Sequence, residues 1–290
     1  MNEKEFEILG IKRFHEAGIK GQGITIASRE SDRTVHGKCV YELIKQVVPE
    51  ANIKLKCDYN KDNDFDVYTT SLFFASDKTK EKRSQQLIDK NKILICAAGN
   101  EGSETQTPLS RLEQWLSIGA VHLLSDGKIE IPKYSSIFSG LDFMSFSNLN
   151  VPNKVNKIKG TSFSAPIFAS MCALVQCYFL EHTVKKLTYN QMLQFIEVNC
   201  IDLNEKGYDN RSGYGLFVLP EPDKIDISKY GGITMFKDYA EWEQALNFLA
   251  DRKRIDSPEV WRNRIKRDND VDLMWFLTKW ANDVQKLENK

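Results

Sequence analysis

At 290 residues with 41% hydrophobic residues, the chain can bury a substantial core and is long enough for one large domain and a small one. Its 40 basic and 40 acidic residues cancel to a formal net charge of zero, so composition gives no reason to expect nucleic acid or an anionic membrane as partner. No apolar run approaches the roughly 20 residues needed to cross a bilayer, and the charged start Met1-Asn2-Glu3-Lys4-Glu5-Phe6 is not that of an export signal, so the expected compartment is the cytoplasm.

Residues 1 to 20 read as a helical lead-in with Phe6, Leu9, Ile11 and Phe14 as its apolar positions. Gly21 to Ser28 is a Gly-rich turn feeding a short strand, and two carboxylates, Glu30 and Asp32, follow it. Val40, Leu43, Ile44 and Val47 fall at helical spacing, which puts His36 at or just before a helix start. Ala51 to Cys57 alternates as a strand should, and Phe65 to Phe73 is a second strand beyond a polar loop. Lys78 to Lys90 is charged and fits a solvated helix. Lys92 to Asn100 is a continuous apolar run ending in small residues and an Asn, as expected of a buried parallel strand that delivers a side chain at its carboxyl end. Trp115 to Ser147 is strand-rich, and Tyr189 to Val198 reads as a helix. This alternation predicts an α/β fold, a parallel sheet covered on both faces with its active residues at carboxyl ends of strands.

Gly160 precedes a hydroxyl-rich turn and the apolar run Ile167 to Val175. A hydroxyl at the mouth of such a helix meets orphan backbone N–H groups and the positive end of the helix dipole, which favour a developing oxyanion. It becomes a nucleophile only when a base takes its proton and a third group orients that base. Of the four histidines, His36 alone has a suitable setting; His15, His122 and His182 read as surface or packing residues. The six cysteines, at 39, 57, 96, 172, 177 and 200, show no metal-ligand or redox spacing, and Cys96, Cys172 and Cys177 lie in apolar runs as buried thiols would.

The stretch Gly160-Thr161-Ser162-Phe163-Ser164-Ala165-Pro166 resembles the nucleophile motif of the subtilisin-like serine peptidases, with Ser162 as nucleophile. Val35-His36-Gly37-Lys38-Cys39-Val40 is similar to that family's His-Gly-x-x-Val segment, with Lys38-Cys39 in place of the usual Thr-His. Ala97-Ala98-Gly99-Asn100 resembles the segment whose Asn donates to the oxyanion, together with the N–H of Ser162. Ser71-Leu72 matches a strand end that pairs with substrate backbone, with Phe73 where the family has Gly; Ala98 and Gly99 belong to the facing strand. The triad acid falls on Glu30, with Asp32 as the alternative. The connection from Glu30 to His36 is short, so a loop that could carry a metal segment is missing and no cofactor is implied. Leu116 to Val121 and Tyr134 to Ser136 resemble the family's later strands, which implies strands there, and the resemblance covers about residues 8 to 220. It implies a subtilisin-like sheet with helices on both faces and an endopeptidase acting on protein or peptide through an acyl-enzyme and a Ser-His-Glu triad. Glu30, Lys38-Cys39 and Phe73 keep open a second reading, a silent relative that binds a protein segment in the same cleft.

Composition shifts after Pro220-Glu221-Pro222, dividing a domain of residues 1–220 from an accessory module of residues 221–290. Trp242, Trp261, Trp275 and Trp280 fall in that last stretch and read as the core of three short helices; the alternative is an aromatic surface for a protein partner or a dedicated substrate. The basic residues from Arg252 to Arg267 read as a solvated face.

Overall fold

The computed structural model describes residues 2–73, 75–152, 154–183, 185–230, 246–247 and 249–251. The lead-in is two short helices, α1 (Glu3–Ile8) and α2 (Ile11–Glu16), which bury Leu9, Ile11 and Phe14. Gly10 breaks them apart at φ 77°, and a Cβ there would stand 2.4 Å from the Leu219 carbonyl oxygen. A left-handed backbone with no room for a side chain requires glycine.

The body follows as β1 (Thr25–Ser28), α3 (Val35–Val47), β2 (Asn52–Lys54), β3 (Val67–Thr70), α4 (Lys78–Ile88), β4 (Ile93–Ala97), β5 (Leu116–Leu123), β6 (Ile129–Glu130), β7 (Phe143–Phe146), α5 (Thr161–Thr183), α6 (Tyr189–Glu197), β8 (Cys200–Ile201) and β9 (Leu216–Phe217). The sheet order is β2-β1-β3-β4-β5-β7-β9-β8, with β6 on β5. Pairing is parallel except for β6 on β5 and β8 on β9. Every residue of β3, β4 and β7 is buried, and since successive side chains face opposite ways, the centre of the sheet is covered on both sides. The expected α/β sheet is therefore present.

Strand order also locates the crevice. The chain leaves β1, adds β2 on one side, then returns to add β3 on the other. At such a reversal the crossover helices diverge and leave a cleft outside the carboxyl ends of the strands. The carboxyl ends of β1, β3 and β4 lead directly to Glu30, Ser71 and Asn100.

Under β3 and β4, Tyr59 and Tyr68 meet the Trp115 ring edge-on at 5.2 and 5.9 Å, and the indole N–H donates to Ser84 Oγ at 2.9 Å. The Tyr68 hydroxyl donates to Cys57 O at 2.8 Å, so this buried aromatic cluster is tied to the backbone as well as packed edge to face. Two expectations need correction. Tyr134 to Ser136 is a turn rather than a strand: the Ser135 N–H bonds back to Pro132 O, and Ser135 Oγ accepts from Ala120 N–H, a side-chain contact in place of a ladder. And α5, at 23 residues, does reach membrane-spanning length and apolarity, but 94% of its most apolar window is buried inside the protein. It is a core helix.

All six cysteines are free, and Cys39, Cys96, Cys172 and Cys177 are buried. The chain divides into two compact units, Met1–Tyr178 with Leu187–Ile225, and Phe179–Lys186 with Asp226–Lys290. In the second, Phe179 and Tyr230 stack edge-on at 5.5 Å, and Leu246 and Leu249 are helical and buried. Trp242, Trp261, Trp275 and Trp280, the helices expected around them and the basic run from Arg252 lie outside the described residues.

Candidate active site

The nucleophile turn begins at Gly160, whose φ of 126° is open only to glycine and whose Cα faces the Asn100 amide. Thr161 starts α5 and donates twice to Asn100 Oδ1, from its N–H at 2.8 Å and from Oγ1 at 3.1 Å. Thr161 Oγ1 in turn accepts from the Gly99 N–H at 3.1 Å. An amide whose oxygen is pinned in this way has its NH2 group turned outward. Among the described residues, nothing accepts from Asn100 Nδ2 or from the Ser162 N–H, the two donors expected to serve an oxyanion.

Pro166 explains the next contact. It has no N–H, so the carbonyl four residues earlier, that of Ser162, loses its helical partner. Ser71 Oγ supplies the missing donor at 2.7 Å. The Ser71 N–H meanwhile donates to Glu30 Oε1 at 2.6 Å, so this one residue ties the strand end to both the acid and the nucleophile turn. Glu30 is buried, and its other oxygen accepts from Ser28 Oγ. Ser28, the last residue of β1, was not singled out by sequence reasoning; only its position two residues before the acid could have marked it. Asp32 is exposed instead and paired with Lys56 at 2.6 Å, whose ammonium hydrogen-bonds its carboxyl and holds it below the usual range.

His36 sits in the first turn of α3, capped by Thr34, whose Oγ1 accepts from the Gly37 N–H at 3.0 Å. Gly37 is required by contact: a Cβ there would stand 2.1 Å from the Ser31 carbonyl oxygen, so the short connection from Glu30 packs flat on the helix. The His36 ring lies against Phe163, centroids 5.3 Å apart. Among the described residues, neither the His36 ring nor Ser162 Oγ has a hydrogen-bond partner, and Glu30 is engaged by Ser28 and Ser71 rather than by His36. Thus hydrogen bonds join Glu30 to Ser71 and Ser71 to Ser162, Asn100 is tied to Thr161 next to Ser162, and among the described residues His36 is brought in by ring contact alone.

Beside them is a narrow depression, too tight to admit a water molecule, lined by Thr70 to Phe73, Cys96, Ala97 and Thr107 to Leu109. Leu72 and Phe73 are exposed on its rim, while Ala98 and Gly99 are buried. A Cβ on Gly99, at φ 118°, would meet Glu101 Oε2 at 2.5 Å. No group of His, Cys, Asp and Glu among the described residues could hold a metal ion.

Residues 36–215 match the subtilase family, the serine peptidases of the S8 type. The chain belongs to the subtilase family. It is 27% identical over 175 residues, 58% of this chain, to the major intracellular serine protease of Bacillus subtilis (strain 168). That match spans about half of the relative, 54% of its length. Among solved structures, a lanthipeptide protease superposes with TM-score 0.61 at 16% identity, covering 74% of this chain and 92% of its own. The psychrophilic subtilisin-like protease Apa1 from the Antarctic psychrotroph Pseudoalteromonas sp. AS-11 superposes with TM-score 0.62 at 12% identity, covering 80% of this chain and 99% of its own. These two likenesses establish the subtilisin-like fold.

Proposed function

We propose that this subtilase is a serine endopeptidase that cleaves extended segments of protein or peptide through an acyl-enzyme. Ser162 Oγ attacks the carbonyl while His36 takes its proton; the imidazolium, oriented by Glu30, then returns that proton to the leaving amine. Water, activated by His36, releases the acyl group in the second half. Asn100 Nδ2 and the Ser162 N–H meet the oxyanion in both tetrahedral states. Substrate backbone lies along Ser71 and Leu72 on one side and Ala98 and Gly99 on the other. No cofactor enters this chemistry.

The observation that carries the reading is the double donation from Thr161 to Asn100 Oδ1, which leaves two unclaimed donors beside a serine at a helix start. The name of the Bacillus relative supports cytoplasmic action. Residues 221–290 are then an accessory module that recruits a protein substrate or partner, and its deletion should lower cleavage of the native substrate while sparing a generic one.

A silent segment-binding protein is favoured by a different observation, the lack of a hydrogen bond from His36 to either Glu30 or Ser162 among the described residues. Catalytic hydrogen bonds often tighten only when substrate is bound, which is how the peptidase reading accommodates the same geometry. A fluorophosphonate probe separates the two. Stoichiometric labelling that disappears in Ser162→Ala is the expected result; folded wild-type protein that takes no label would overturn the peptidase reading.

A further inference from the structure

Behind the nucleophile turn lies a chain of polar contacts that the hydrolase mechanism does not use. The Gly160 N–H donates to Ser147 Oγ at 2.9 Å and to Tyr134 Oη at 3.2 Å. The two hydroxyls are 2.9 Å apart, and Tyr134 Oη lies 2.8 Å from His122 Nε2. Ser147 and Gly160 are buried, and Tyr134 and His122 half-buried. These residues come from four places: His122 from β5, Tyr134 from the following turn, Ser147 from the end of β7, and Gly160 from the entry to α5. A buried N–H must find an acceptor, and here two hydroxyls share that task at the residue that sets the direction of the nucleophile turn.

We propose that Tyr134 and Ser147 are positioning residues for Ser162, and that His122 controls them by setting the direction of their hydrogen bonds. The inference rests on the hydrolase reading. Gly160 packs on the Asn100 amide, 3.4 Å separating Asn100 Oδ1 from the place a Cβ would occupy, so a shift of Gly160 moves Thr161, Asn100 and the Ser162 N–H together.

Proton accounting gives the coupling. With neutral His122 in the tautomer protonated at Nδ1, Nε2 accepts from Tyr134 O–H, Ser147 O–H donates to Tyr134, and the Gly160 N–H donates to both oxygens, so both hydroxyl hydrogens and the amide hydrogen are used. A protonated ring must donate at Nε2. Tyr134 O–H then turns toward Ser147, whose own hydrogen loses its acceptor. Glu130, paired across the strands with His122, favours the charged ring, and Lys157 and Lys159, from the segment entering Gly160, oppose it. Burial is the larger influence and holds the imidazole below its ordinary value. The ordered arrangement therefore belongs to neutral pH and is lost on acidification.

The test uses the full chain labelled with 15N-glycine. In wild type the Gly160 amide shift should follow the His122 imidazole titration; in Tyr134→Phe and in His122→Gln that dependence should vanish. In parallel, Tyr134→Phe should slow fluorophosphonate labelling by about tenfold or more at neutral pH with the melting temperature little changed, the scale of a small misplacement of reacting groups. His122→Gln should remove the matching inflection from the pH profile of the labelling rate, and Ser147→Thr, which keeps the hydroxyl, should keep the wild-type rate. A Gly160 amide indifferent to His122 protonation, or an unchanged rate in Tyr134→Phe when wild type labels, would overturn the relay. Wild type that takes no label would refute the hydrolase reading, while the amide titration would still decide the relay.

Discussion

Replacing Glu30 with Gln separates the orienting role proposed for its charge from its structural role. The buried carboxylate holds two contacts, from Ser28 Oγ and from the Ser71 N–H, and no cation among the described residues pairs with it. Each bond to a charged acceptor contributes about 1.5–3 kcal/mol, against about 0.5–1.5 for a neutral one, so the amide weakens the pair by about 2–3 kcal/mol in total. The variant also removes a buried unpaired charge, whose desolvation costs several kcal/mol. Gln can keep both contacts, its oxygen accepting from Ser71 and its NH2 donating to Ser28 Oγ. The two effects nearly cancel, and the melting temperature should move by only a few degrees. Catalysis should not survive so well, because an amide cannot stabilise imidazolium. The analogous loss in Ser-His-Asp enzymes is about 10⁴ in turnover, equivalent to about 5 kcal/mol of barrier. The assay is the second-order rate of fluorophosphonate labelling beside a thermal melt. A folded Glu30→Gln that labels within about tenfold of wild type would refute Glu30 as the orienting acid.

Asn100→Ala removes a proposed oxyanion donor and strands the two Thr161 donors; labelling should slow by about 10²–10³, and an unchanged rate would exclude Asn100 from the oxyanion site. Gly37→Ala forces a methyl into the Ser31 carbonyl at 2.1 Å, which should cost about 1–3 kcal/mol, read as a lower melting temperature, and an unaltered melt would contradict that close packing. Asp142 accepts from the Ser117 N–H at 2.7 Å in a half-buried site, and desolvation there pushes its carboxyl up to about 7. The unfolded chain releases this proton near pH 4 and the folded protein near pH 7, so the group's contribution falls as pH rises between them, by on the order of 4 kcal/mol. Urea midpoints across that window should fall more steeply for wild type than for Asp142→Asn; parallel slopes would contradict the assignment.

The sequence alone determined the elements that carry the site. Buried parallel strands are continuous apolar runs, so β4 and the Asn100 that follows it are legible from Lys92 to Asn100, and the period of Val40, Leu43, Ile44 and Val47 is enough to place His36 in the first turn of α3. Glycines at Gly160 and Gly37 signal close approach, though not what approaches. Tyr134 to Ser136 misled because the resemblance to the family's later strands carried no local support from residue type, and the turn there is set by contacts with Ala120 and Pro132. Only tertiary structure decided which side chains share hydrogen bonds. That Ser71 holds Glu30 and serves the carbonyl orphaned by Pro166, and that His122 reaches Gly160 through two hydroxyls, are facts about segments distant in the chain. Local propensity is a property of neighbours in sequence. The partners of a buried polar group are fixed by strand order, and the reversal at β1 that brings Glu30, Ser71 and Asn100 to one edge has no signature in any single stretch of the chain.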